Sequence, residues 1–256
     1  MARGPVFHSK TDLIGFMKRT LLLILVVFIS AAAASAQSTP AKPAVPNFDA
    51  EIALAKLAME AHGGAKLRAM KTLVIRGSVD ISSGASPQII PATFVSVFAG
   101  PKYVFELNNP LQPIKQIFDG VQTSSSIRGG ISLPPLNRLG FPLLPHLGEQ
   151  GFVVTAIPEG KKKKKGFRMT SPEGYYTDFY LDEKTNQIQG YDSSYDVSGR
   201  KVTTSVEIDK LRNVDGVLVP ERYVQRFDTD QITFYANFKA KEILVNSPVE
   251  DGIFKM

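Results

Sequence analysis

From Thr72 to the end of the chain, apolar and polar residues alternate with a period of two, and this alternation constrains the fold more than any other feature of the sequence. The segments 72–82, 92–99, 102–107, 114–118, 121–127 and 152–157 read as strands, as do 167–170, 175–181, 187–196, 201–211, 217–227 and 231–243. Turn chemistry separates them at Gly100-Pro101, Asp119-Gly120, Ser198-Gly199 and Asp215-Gly216. Near-neighbour hairpins imply an antiparallel meander of about 10–12 strands, more than a flat open sheet holds without curling. Val202, Thr204, Val206 and Ile208 alternate with Thr203, Ser205, Glu207 and Asp209, so the sheet has a dry face and a wet one.

A dry concave face must be covered. One amphipathic helix is expected over 48–62, with Asn47 or Asp49 placed to cap it and Phe48, Ile52, Ala55 and Met59 sharing a face. Gly63-Gly64 ends it, and 65–70 has the pattern of one further turn. At a rise of about 1.5 Å per residue the helix spans roughly 22 Å, too little to line so many strands. The remaining cover is expected from an insert at 129–148, GGISLPPLNRLGFPLLPHLG. Its prolines oppose a long helix or strand, while its leucines oppose an exposed loop. Two readings stay open: a plug that permanently fills the core, and a lid over a cavity. Residues 47–256 are expected to form a single domain.

The N-terminal segment is of a different kind. Lys18-Arg19 precede an apolar run from Leu21 to Ile29, followed by Ser30 and an alanine stretch ending Ala34-Ser35-Ala36, which is the layout of a secretory signal peptide. The run is too short for a membrane span, which needs about 20 apolar residues. Cleavage after Ala36 leaves Gln37 first, and Met17 is an alternative start. The chain contains no cysteine, which excludes a lipoprotein anchor, disulfides and thiolate metal sites. Residues 37–46 form a Pro/Ala-rich tether. A soluble, exported, periplasmic protein is expected. The net charge of +6 does not indicate a nucleic-acid partner, because residues 1–36 hold four basic residues against one acidic, leaving 26 against 23 beyond them. Five of those 26 are the consecutive lysines 161–165, expected at a hairpin tip that is either simply solvated or in contact with anionic lipid headgroups.

No nucleophile elbow, metalloprotease motif, P-loop or dinucleotide fingerprint is present. The three histidines, His8, His62 and His146, are scattered, so neither metal nor cofactor is expected. Asp178, Asp182 and Asp192 could in principle supply a hydrolytic carboxylate pair, with surface solvation as the plain alternative.

Several stretches carry a family resemblance. His62-Gly-Gly-Ala-Lys-Leu-Arg-Ala-Met-Lys-Thr-Leu73, running into Ile75-Arg-Gly-Ser-Val79, resembles the helix-to-first-strand junction of LolA-like proteins of bacterial envelopes. Pro101-Lys-Tyr-Val-Phe105, Phe118-Asp-Gly120, Phe179-Tyr-Leu-Asp182 and Asn213-Val-Asp-Gly-Val-Leu-Val-Pro220 fit the same pattern, as does Val245-Asn-Ser-Pro-Val-Glu-Asp-Gly-Ile-Phe254. The resemblance implies an unclosed antiparallel β-barrel around one or two helices, with a hydrophobic cavity between them. It further implies a non-catalytic carrier of lipids or acylated lipoproteins, with transient contacts to envelope membranes or membrane proteins; a monomer is expected. Two departures stand out: Val121-Gln-Thr-Ser-Ser-Ser126 replaces a glycine and tryptophan found in many relatives, and the Pro/Leu-rich insert replaces a helical lid. The cavity is expected to be lined from the sheet by Phe94, Phe98, Val206, Ile208, Ile232, Phe234 and Phe238. From the insert, Leu133, Leu136, Leu139, Phe141, Leu143 and Leu144 should contribute. The alternative is an envelope adaptor with a filled core that docks a partner by its sheet edge; a hydrolase ranks behind both.

Overall fold

The computed structural model describes residues 47–84, 86–126, 136–158, 164–197, 200–228 and 233–255. The leader, the tether, the lysines at 161–163, Leu133 and Ile232 lie outside the described residues. All described residues but Asn47 belong to one unit, Phe48–Met256.

Twelve strands among the described residues form one antiparallel sheet: β1 (Thr72–Ser83), β2 (Ser86–Ala99), β3 (Lys102–Asn108), β4 (Ile114–Phe118), β5 (Thr123–Ser125), β6 (Val153–Thr155), β7 (Gly166–Thr170), β8 (Tyr176–Leu181), β9 (Ile188–Val197), β10 (Arg200–Val214), β11 (Val217–Asp228) and β12 (Thr233–Val245). Their spatial order is β5-β4-β3-β2-β1-β12-β11-β10-β9-β8-β7-β6, so the sheet is an unclosed, curved barrel wall. The chain is therefore not one simple meander. Its two halves join where β1 pairs with β12, from Leu73 opposite Val245 to Ser83 opposite Phe234. The register slips at Arg76/Gly77, where a Cβ on Gly77 would lie 2.1 Å from the Lys239 carbonyl oxygen, so this bulge requires glycine. The pairing leaves β5 and β6 as the two edges, and the segment between them must run from one edge to the other. The topology itself carries the insert across the opening.

Strand β2 begins six residues earlier than the alternation suggests. Pro91 hides this extension, yet β2 pairs there only with β1, since pairing with β3 begins at Thr93, and the missing amide costs no ladder bond.

Helix α1 (Asp49–Ala61) is followed by the single turn α2 (Ala65–Arg68). The N-cap is Phe48, without a side-chain cap, rather than Asn47 or Asp49. The buried stripe is Ala55, Ala58 and Met59, while Ile52 is 36% exposed, so the helix is rotated from the face expected. Two alanines allow α1 to lie close against β7 and β6. There it joins the main core with Phe167, Phe179, Leu143 and Leu144.

The expectation of one dry face fails at β1–β4. Val74, Val97, Val104 and Ile117 form a second cluster on the opposite face, and Phe254 of the C-terminal 3₁₀ turn (Asp251–Phe254) completes it. Lys102 pins that turn through Asp251, 2.9 Å away.

Candidate functional site

The inner face of the sheet and the insert enclose a pocket of about 160 Å³. Its first wall comes from β1, β2, β3 and β12 and is apolar but for Ser96: Leu73, Ile75, Phe98, Phe105 and Phe238 make up the rest. Beneath it Phe94, 1% exposed, meets the Phe238 ring edge-on at 4.9 Å. Tyr223 stacks on the other side of Phe238 at 4.7 Å, so an aromatic row runs across the joint between the halves of the sheet.

The second wall comes from β9, β10 and β11 and is different in chemistry. Tyr191, Ser193 and Tyr195 on β9 face inward at period two, beside Thr204 on β10 and Tyr223 and Gln225 on β11. Gln225 Nε2 donates to Thr204 Oγ1 at 2.9 Å. Ser193 and Thr177 hydroxyls lie 3.0 Å apart, and Thr177 Oγ1 accepts the Gly140 amide at 2.9 Å. Burial raises the Tyr191 phenol, opposed by its bond to the Phe141 backbone, and it raises Tyr223 as well. Burial alone pushes Tyr195 up to about 12. Sequence reasoning missed this wall because it sought apolar residues. The signal was there in parity, since Tyr223 and Gln225 share an inward register with Ile208 and Val206.

The insert forms the third wall, and the structure divides it. Leu136, Leu139, Gly140, Phe141 and Pro142 border the pocket, whereas Leu143 and Leu144 are fully buried in the main core. Polar contacts fasten the first part to both halves of the sheet. Asn137 Nδ2 donates to the Pro101 carbonyl at 2.7 Å, and Arg138 pairs with Glu173 at 3.3 Å. Leu139 belongs to a small separate cluster with Tyr195, Tyr175 and Val202.

Of the residues expected at a cavity, the structure therefore brings Phe98, Leu136, Leu139, Phe141 and Phe238 together. Phe94, Leu143 and Leu144 lie behind them as core. Val206 and Ile208 share the inner register, opposite Gln225 and Tyr223, but are not among the pocket's lining. Phe234 is 38% exposed; it pairs with Phe227, a lining residue, and so extends the wall to an exposed apolar rim.

The carboxylates suggested for hydrolysis are already engaged. Asp178 is fully buried rather than solvated, held by Arg168 through Nε at 2.6 Å and a second guanidinium nitrogen at 3.0 Å. Asp192 accepts from Tyr180 and Ser205, and Asp182 ties the β8–β9 turn through the Thr185 amide and hydroxyl. A groove of about 820 Å³ is bordered by Asp182 and Asp192, with Tyr180, Ser205 and Glu207 beside them, and by Val206 and Ile208. Lys165 borders it but is bound to the Glu183 carbonyl and Asn186. Among the described residues no cluster of histidines and carboxylates could hold a metal ion, and no helix is long and apolar enough to cross a membrane.

No protein-family model and no curated protein matches the sequence. Among solved structures, the chain is similar to a LolA superfamily protein from Nitrosomonas europaea, with 10% identity and a TM-score of 0.50 over 80% of this chain and 97% of that one. It is also similar to a DUF1329 family protein from Desulfovibrio piger, with 10% identity and a TM-score of 0.46 over 80% and 97% of the two chains. A structure described as an outer membrane lipoprotein-sorting protein domain, from Vibrio parahaemolyticus, gives 8% identity and a TM-score of 0.44 over 81% and 97%. At such identities the likeness is one of fold, and the fold shared with the Nitrosomonas protein is the unclosed antiparallel sheet that the sequence resemblance implied.

Proposed function

We propose that this protein is an exported periplasmic carrier that binds the acyl chain of a lipid or lipoprotein between the inner sheet face and the first part of the insert, without catalysis. The observation that supports this most is the pocket itself: an apolar wall continuous with an exposed rim, closed by a segment that the topology stretches between the two sheet edges. At about 160 Å³ the pocket is of the size that holds one benzene-sized molecule, below the roughly 300–1,000 Å³ usual for ligand sites. A chain must therefore enter by exchange. Displacing Leu136 and Leu139 gives up about 3–6 kcal/mol of burial at 1.5–3 kcal/mol per side chain. A long acyl chain returns about 0.8 kcal/mol per methylene, or about 10 kcal/mol in all. Exchange is favourable provided Leu143 and Leu144 stay in the core.

The second reading, an adaptor with a permanently filled interior, draws on the complete burial of Leu143 and Leu144. Titration with a fluorescent fatty-acyl probe separates the two. Leu139→Asp should weaken uptake more than tenfold, about 1.4 kcal/mol, because the displaced leucine packs again on the bound chain whereas a carboxylate there would be desolvated, and the fold survives because Leu139 sits in a small peripheral cluster. A variant that binds the probe normally but melts far lower would identify the segment as a plug. Mass spectrometry of lipid extracted from the natively purified protein would identify the cargo.

A further inference from the structure

Beside the apolar pocket lies a second chamber of about 400 Å³, and Leu73, Phe98 and Pro142 border both. Its walls carry charge, which the first pocket lacks. Arg68 from α2 and Lys71 from the step into β1 border it, with His146 and Glu149 at the end of the insert. Short contacts hold these groups around one space. The Lys71 carbonyl accepts the Gly100 amide at 3.2 Å, and the carbonyl of the next residue, Pro101, accepts Asn137 Nδ2 at 2.7 Å. On the other side, an Arg68 guanidinium nitrogen lies 4.0 Å from where a Cβ on Gly148 would stand. Glu149 is engaged by His146 Nδ1 at 2.7 Å, and the His146 ring is held by its stack on Phe152. The side chains of Arg68 and Lys71 have no ion-pair partner among the described residues. The lining therefore carries two cations against one carboxylate that already has a partner. Asn137, also in this lining, is 2% exposed, and its Oδ1 has no hydrogen-bond partner. A buried acceptor left in that state is costly, and a donor brought in by a ligand relieves it.

We infer that this chamber takes the head of the carried lipid, and that the head is an anionic phosphodiester bearing a hydroxyl: the phosphate meets Arg68 and Lys71, and the hydroxyl donates to Asn137 Oδ1. This rests on the carrier reading and narrows it. The shared walls Leu73, Phe98 and Pro142 let one molecule place its chain in the apolar pocket and its head in the charged chamber. Guanidinium and ammonium donors both suit phosphate oxygens. A choline or ethanolamine head brings an ammonium group beside two cations and loses that attraction. A fatty acid offers a carboxylate to the cations but no donor to Asn137. A neutral head leaves both cations without an anion.

Four amphiphiles of equal chain length, displacing a fluorescent fatty-acyl probe from the full chain, test this: dodecylphosphoglycerol, dodecyl methyl phosphate, dodecylphosphocholine and dodecanol. The phosphoglycerol should bind at least tenfold more tightly than the phosphocholine or the alcohol, with the preference shrinking as salt is added. The methyl phosphate, which keeps the charge but lacks the hydroxyls, should fall between. Arg68→Gln and Lys71→Gln should each reduce the phosphoglycerol-to-dodecanol ratio and leave dodecanol binding unchanged, with melting temperatures recorded alongside. Glycerol phosphate without a chain should displace the probe far more weakly. The inference is overturned, and the carrier reading stands, if the probe binds but the phosphoglycerol is not preferred over the phosphocholine and the alcohol. The same holds if the methyl phosphate matches the phosphoglycerol, if the variants keep the full preference, or if chainless glycerol phosphate competes as well as the lipid. If neither the fluorescent probe nor any amphiphile binds the wild-type protein, the carrier reading falls and this inference falls with it.

Discussion

The imidazole of His62 joins three elements that are far apart in sequence. Its Nδ1–H donates to the Leu218 carbonyl at 2.6 Å, its Nε2 accepts the Ile188 amide at 3.0 Å, and its ring lies 5.4 Å from that of Phe141. The end of α1, the start of β9 and the start of β11 thus meet on one neutral side chain. Gly63 makes the approach possible: its φ of +119° suits glycine, and a Cβ there would stand 2.5 Å from the Gly216 carbonyl. Replacing His62 by Phe keeps the ring but leaves a buried amide and a buried carbonyl unpaired, which should cost about 2–4 kcal/mol in denaturant unfolding. Burial holds the folded pKa of His62 below its ordinary value, only partly offset by the Leu218 carbonyl. The unfolded chain therefore binds the proton first, so the contribution of His62 is complete above about pH 6.5 and is lost as pH falls from there towards the folded value. The stability gap between wild type and His62→Phe should accordingly narrow between pH 7 and pH 5; a gap constant with pH would mean that His62 is not buried in its neutral form. In the sequence His62 was visible only as the residue before two glycines, since its partners are backbone groups 126 and 156 positions away.

At the scale of elements, what was legible followed from local pattern. All twelve strands were readable because half-buried strands alternate, and β4, Ile114–Phe118, was placed to the residue. The ends that were missed have physical causes: Pro91 masks the extension of β2, and β5 shrinks to Thr123–Ser125 because an edge strand has a partner on one side only. The helix face was read in part: Ala55 and Met59 are buried as expected, but Ala58, weak in any hydrophobic pattern, takes the place given to Ile52 and sets how closely α1 approaches β7. The insert was recognised as apolar, but its division into pocket border and core depends on contacts that composition does not encode. That division is measurable. Leu144→Ala removes a fully buried side chain from the main core and should cost about 2–5 kcal/mol, whereas Leu139→Ala, in the small cluster with Tyr195, should cost clearly less. Equal losses in thermal or denaturant unfolding would make the insert one structural unit.

For the molecule as a whole, the position of the joint decides what can move. β1 and β12 lie near the centre of the sheet, are 12 and 13 residues long and have a strand on each side, while the edge strands β5 and β6 have three residues each. The segment crossing between those edges is held in its first part by single polar contacts, to Pro101 on one half and to Thr177 and Glu173 on the other. Its second part is locked by Leu143, Leu144 and Phe141 among core residues from both halves. Detaching the whole segment would expose six large side chains, roughly 9–18 kcal/mol at 1.5–3 kcal/mol each, which matches or exceeds a domain's total stability. Releasing Leu136 to Gly140 alone exposes two, at about 3–6 kcal/mol. Opening should therefore be partial and hinge near Phe141. Native-state hydrogen exchange reads this directly, because amides report the free energy of the smallest opening that frees them. The Gly140 amide and those of β5 and β6 should exchange through local openings. Leu147, whose amide bonds to the Leu144 carbonyl in the locked part, should exchange together with β1 and β12 near the global limit. Saturation with an acyl probe should slow the first group and leave the second unchanged. If Gly140 instead exchanges only with global unfolding, the opening between the sheet edges is permanently sealed, and a chain as long as an acyl group has no way in.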